Sequence, residues 1–141
     1  ARTHIMGDTL LPDRQHARLE AMQRDDHLLI TAFLAKVAFE ASAEKCRDAR
    51  WPGAEKRLRD RQAKLEDIRQ STGNGMASVD FMLEEARGEK FHMKDVHAYW
   101  GSGNLCAEVH LSKVAFRPED QKLFDEVLAR VKFLPLSGGN Q

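Results

Sequence analysis

The chain has 141 residues, enough for one domain with a real core and too few for two ordinary ones. Apolar residues at 42% beside charged residues at 31% exclude the low-hydrophobicity signature of disorder, and 22 Lys and Arg against 22 Asp and Glu exclude a global field that would draw the protein onto nucleic acid or an anionic membrane. No apolar run is long enough to span a bilayer and no signal-peptide pattern stands at the N-terminus, so no membrane span is expected.

"ARTHIM" reads either as residues ahead of a native start at Met6 or as the ragged beginning of a mature exported chain, and residues 1–12 are expected to fray. In "RLEAMQRDDHLLITAFLAKVA", Leu29, Phe33 and Val37 fall at helical spacing. The turn-like "RDD", the β-branched pair Ile30 and Thr31, and apolar residues on every side from Leu28 to Leu34 favour a hairpin with strands near 17–23 and 27–38. Ser42 then offers an N-cap, Glu44 an acid for the first turn, and Pro52 and Gly53 a break, which predicts a short helix carrying Cys46. "GAEKRLRDRQAKLEDI" continues with helix formers, and its end around Leu65 and Ile68 is compatible with extended chain. The surrounding stretch "RWPGAEKRLRDRQAK" holds six Lys and Arg but no interleaved aromatics, the pattern of a solvated helix face, and no nucleic acid is expected as a partner.

After the turn cluster "STGNG", "MASVDFMLEE" alternates Ala77, Val79, Phe81 and Leu83 against Ser78, Asp80 and Glu84. "ARGEK" turns the chain at Gly88, and "DVHAYW" and "LCAEVHL" flank "GSGN" as a tight hairpin, completing a β-meander over 76–114. A turn made of all four residues sets Trp100 opposite Leu105, Ala98 opposite Ala107 and Val96 opposite Val109, one apolar face. "RPEDQKLFDEVLARV" opens with Pro118 and acids and stripes Phe124, Val127, Leu128 and Val131, predicting a closing helix over 118–132 that packs on the sheet. "KFLPL" is a candidate last strand, and 136–141 a frayed tail. The fold class is therefore α+β, an antiparallel sheet packed against helices in a single domain.

That element order, with the ending "CAEVHLSKVAFRPEDQKLFDEVLARVKF", resembles small bacterial proteins with the PsbP-like fold over residues 76–134. The resemblance implies a non-enzymatic accessory or binding module, since members of that broad fold include an extrinsic photosystem subunit, a small-GTPase-binding factor and bacterial envelope proteins. The N-terminal third is where the likeness is expected to fail.

The same register turns Asp95, His97, Tyr99, Cys106, Glu108 and His110 to the opposite face, expected to be half-exposed. His97 then lies opposite Glu108, Asp95 opposite His110, and the histidines are diagonal neighbours. Imidazole and carboxylate donors of this kind suit zinc or copper, so His97, Glu108 and His110 are the candidate metal ligands; the simpler reading is cross-strand ion pairing, and no cofactor is expected. Cys106 as a nucleophile with His97 or His110 as base lacks an oxyanion loop, and Ser112 beside Lys113 points its hydroxyl away from the lysine's face. No catalytic residue is assigned. Trp51, before Pro52, is core filler rather than an exposed anchor.

Cys46 and Cys106 are either two inert thiols or one disulfide; neither belongs to a C-x-x-C. The helix around Cys46 is an element that can cover Cys106, and a disulfide is expected. A bond would require an oxidising compartment, so a periplasmic or secreted protein is expected, or a cytoplasmic one if Met6 is the native start. The leading expectation is a small non-catalytic binding or accessory protein whose partner is another protein, met on the face of Asp95, His97, Tyr99, Glu108 and His110. The alternative is a metal-binding protein or hydrolase using His97, Glu108 and His110.

Overall fold

The computed structural model describes residues 3–6, 18–23 and 28–133. In chain order these form β1 (Thr3–Met6), β2 (Arg18–Gln23), β3 (Leu28–Lys36), α1 (Ala43–Asp60), β4 (Ala63–Gly73), β5 (Met76–Ala86), β6 (Glu89–Ser102), β7 (Leu105–Lys113), a 3-10 turn (Pro118–Asp120) and α2 (Gln121–Arg130). The strands make one sheet in the order β1-β2-β3-β7-β6-β5-β4, every pair antiparallel. The expected α+β class, the early hairpin, the meander and the closing helix are all present.

The connection from β3 to the far edge at β4 is α1 itself. Eighteen residues of helix reach about 27 Å, more than the roughly 19 Å of the four interstrand steps to be crossed. The helix therefore lies across one sheet face, over β6, β5, β4 and β7. Its start is the expected one: the Lys45 N–H donates to Ser42 Oγ at 3.1 Å, and Glu44 stands in the first turn.

The expected break at Pro52 does not occur, because α1 runs through it to Asp60. An internal proline forfeits one backbone hydrogen bond and costs about 3 kcal/mol, but this helix is held along its length by the sheet beneath. Cys46, Trp51 and Ala54 are buried and Leu58 packs beside them. The chain beyond Asp60 is extended from Ala63, earlier than the helix formers of that stretch suggest, and Leu65 and Ile68 both lie in β4.

Each sheet face has its own core. On the α1 side, Cys46, Trp51 and Ala54 meet Val79, Phe81, Leu83, Tyr99 and Cys106. On the other, Phe124 of α2, with Leu123, Val127, Leu128 and Val131 around it, packs on Leu28, Ile30, Val96, Val109 and Leu111. Lys113, at the end of β7, reaches Asp120 at 3.1 Å, and Asp120 also accepts from the Arg117 N–H at 2.8 Å, which fixes the approach to α2. Val131–Phe133 belong to no strand, and the rest of the expected last strand lies outside the described residues. Thr3–Met6 form an edge strand within the segment expected to fray; the tail 136–141 lies outside the described residues.

The β6–β7 register differs from the expected one by two residues. Trp100 pairs with Ala107, Ala98 with Val109 and Val96 with Leu111. Only Gly103 and Asn104 make the turn, with Gly103 at φ 57°, so Gly101 and Ser102 remain in β6. Gly101 is further required by its neighbour: a β-carbon there would stand 2.6 Å from the Ser42 carbonyl carbon.

At the opposite edge, β4 is bulged. Its register against β5 slips between Lys64 and Leu65 and again between Glu66 and Arg69, with Asp67 at φ 54° between them.

Candidate functional site

The residues expected on a half-exposed binding face do share one face, but α1 covers most of it. Asp95, His97, Tyr99 and Glu108 are buried, and His110 is partly so. A helix broken at Pro52 covers Cys106 alone; the unbroken helix carries Trp51, Ala54 and Leu58 over the rest of the face.

The shifted register regroups the side chains. His97 lies directly opposite His110 rather than Glu108, and Asp95 opposite Ser112 rather than His110. The two imidazoles stack with ring centroids 3.8 Å apart and planes 14° from parallel. Trp51 of α1 meets the His97 ring edge-on at 5.3 Å, Phe81 flanks it at 5.5 Å, and Phe33 of β3 stands 5.3 Å from the His110 ring. His110 Nε2 is 2.7 Å from one Glu108 oxygen. The other accepts from Arg50 Nε of α1.

Arg50 is the member of this group that sequence reasoning did not single out. A signal for it existed. With Cys46 bonded to Cys106, one helical turn onward advances about 6 Å to Arg50, while two residues along β7 advance about 6.8 Å to Glu108. Those are the next positions on the facing sides of the two elements, so the start of a helix tethered at Cys46 holds Arg50 near Glu108 before it crosses to β6 and β5.

The tether is present: Cys46 and Cys106 form a disulfide with Cα atoms 5.6 Å apart and both side chains fully buried. The Ser112 hydroxyl donates to the Asp95 carboxylate, while Lys113 points to the α2 side and its ion pair with Asp120, as strand alternation requires. Trp51 is core, 5% exposed.

Burial dominates the electrostatics. It pushes His97 down to about 3, helped by His110 and Arg57, and His110 down to about 4, against the pull of Asp95. It lifts Asp95 to about 6, against the hydrogen bond from Ser112, and Tyr99 to about 12, against Arg50, Arg57 and Arg47. Both histidines are therefore neutral at pH 7. His110 donates its Nε2 proton to Glu108, whereas His97 Nδ1 and the Tyr99 hydroxyl are buried without a hydrogen-bond partner.

What this arrangement can do chemically follows from how its groups are committed. Glu108 is held by Arg50 and His110, Asp95 by Ser112, and Cys106 by Cys46. Stacked imidazoles direct their nitrogen lone pairs in near-parallel planes rather than toward a common point. Among the described residues no three His, Cys, Asp or Glu side chains are grouped so that they could hold a metal ion. Among the described residues, this face opens where the cover of α1 ends over β3, a strand inside the sheet: there Leu29 is 49% and Phe33 36% exposed beside Thr31 and His110, with Arg50 part-exposed on the flank of α1. Among the described residues no helix is long and apolar enough to cross a membrane.

Neither a protein-family model nor a curated relative matches the chain.

Proposed function

We propose that this domain is a small non-catalytic binding or accessory module of bacterial origin, acting in the envelope or outside the cell, and that it meets another protein along the open part of β3 beside α1. The observation that carries the reading is the internal commitment of the reactive side chains. Glu108, Asp95, Ser112 and Cys106 each hold a neighbouring part of the fold, and catalysis needs such groups turned toward a substrate. The opening itself offers two large apolar side chains, Leu29 and Phe33, with a guanidinium at its border, a composition suited to protein contact. A fully buried disulfide between α1 and β7 supports an oxidising compartment. The resemblance of residues 76–134 to PsbP-like proteins points the same way by analogy.

A photo-crosslinking residue at Phe33, compared with one at Glu119 beside α2 and tested in cells exporting the full chain, examines the reading. Crosslinking to one discrete protein from position 33, lost in Leu29→Asp and absent from position 119, is the expected result. Stoichiometric zinc or copper binding abolished by His97→Ala, or turnover of an ester or peptide substrate abolished by His110→Ala, would overturn it.

A further inference from the structure

The His97–His110 stack joins two layers of the molecule. Through His97 it supports Trp51, and through His110 and Glu108 it connects to Arg50, so the two main side-chain anchors of mid-α1 converge on one pair of neutral rings. We infer that this stack is an acid-operated latch: with both imidazoles neutral it holds α1 on the sheet, and protonation of the pair parts the middle of α1 from β6 and β7, while the Cys46–Cys106 bond keeps the start of the helix attached.

The argument rests on what surrounds the rings. From α1 they face Arg50 and Arg57, both cationic, and Trp51, whose ring stands perpendicular to that of His97. From β6 they face Asp95 and Tyr99, and from β7 Glu108. β5 contributes Val79 and Phe81 and β3 contributes Thr31 and Phe33, none of which titrates. One proton has a counter-charge, since the Glu108 carboxylate already touches His110. A second has none: it would sit on His97, whose Nδ1 is buried and unpartnered, 3.8 Å from a charged ring and close to Arg57. Two like charges at that separation away from water repel strongly. Motion of α1, which admits water to His97, relieves the repulsion. The strands cannot yield as easily, because His97 and His110 are directly paired within the interior of the sheet.

The two tryptophans allow a test, since Trp51 lies on the α1 face and Trp100 packs against the α2 core. The variant Trp100→Phe leaves Trp51 as the only indole, and Trp51→Phe leaves Trp100. On acidification from pH 7 to 3 the latch requires Trp51 emission to shift to the red at a higher pH than Trp100 emission, with far-ultraviolet circular dichroism retained and full recovery on return to pH 7. Hydrogen exchange over residues 51–58, corrected for intrinsic rate, is expected to accelerate at least about tenfold ahead of exchange in β6 and β7. His97→Phe, which keeps a flat ring against Trp51, should remove the early step. If that variant does not fold, the wild-type imidazole resonances decide instead: protonation of His97 must coincide with the Trp51 transition. A single transition shared by both tryptophans, or protonation of His97 with α1 still protected, would overturn the inference.

Discussion

A methyl group at position 101 would press on the Ser42 backbone, where α1 begins, and neither side can yield without disturbing a helix cap or a strand. Gly101→Ala is therefore expected to destabilise the fold by about 1–3 kcal/mol, as over-packing does. Gly73→Ala, where nothing lies within 4 Å and φ is ordinary, is the control and should change stability by less than about 0.5 kcal/mol. Urea denaturation midpoints of the two variants provide the comparison. The same glycine explains why the hairpin register was not legible. Sliding two antiparallel strands by two residues leaves every side chain on its own face, so burial of Val96, Ala98 and Trp100 selects the face but not the partner. The choice was made by Gly103 closing a local two-residue turn and by Gly101 fitting against Ser42, an approach to the start of α1 that no local pattern displays.

At the level of elements, α1 is held to β7 covalently at Cys46 and by charge at Arg50, one turn apart. The bond spans 60 residues of sequence, and closing a loop of that length contributes about 4 kcal/mol in the chain-entropy model. Cys46→Ser with Cys106→Ser should lower the unfolding free energy by roughly that amount. Intact-mass analysis of alkylated protein before and after reduction should count no free thiol, then two; two thiols alkylated without reductant would contradict the bond. The strand elements from β5 to β7 were readable because alternation and turn residues agree there, as was α2 from its apolar stripe. The length of α1 was not, since Pro52 is a local stop signal whose cost is offset by tertiary burial of Trp51 and Ala54. Missing that length also hid the roof over the candidate site, although the residues sharing the face could be read from alternation; helix placement allowed a bond between the two cysteines without excluding two thiols.

For the molecule as a whole, the α1 face makes stability depend on pH in a way that can be signed. As pH falls below 6.5 the unfolded chain takes up protons that folded His97 and His110 refuse until about 3 and 4, so each histidine lowers stability by about 1.4 kcal/mol per pH unit. Asp95 acts in the opposite sense. Folded, it binds its proton near 6, whereas unfolded it does so near the ordinary aspartate value of 3.8, so from pH 6 to 4 it offsets one of the two histidines. The net expectation is a loss of about 1.4 kcal/mol per pH unit across that window. Asp95→Asn should roughly double the slope, and it should stabilise the protein above pH 6, where the wild type keeps an ionised carboxylate buried. Chemical denaturation at half-unit steps between pH 7 and 4 measures both slopes; equal slopes would remove Asp95 from the account.

The bulged β4 borders the whole sheet, and an outer strand is where a second chain could add itself by backbone pairing. Two register slips within a few residues, the second holding Asp67 at positive φ, break the even ladder of donors and acceptors that such an addition would copy. Nearby, the Arg47 guanidinium occupies the Ser71 carbonyl at 3.3 Å. This border is thus a poor template for fibril growth: an uneven rim keeps the molecule to itself.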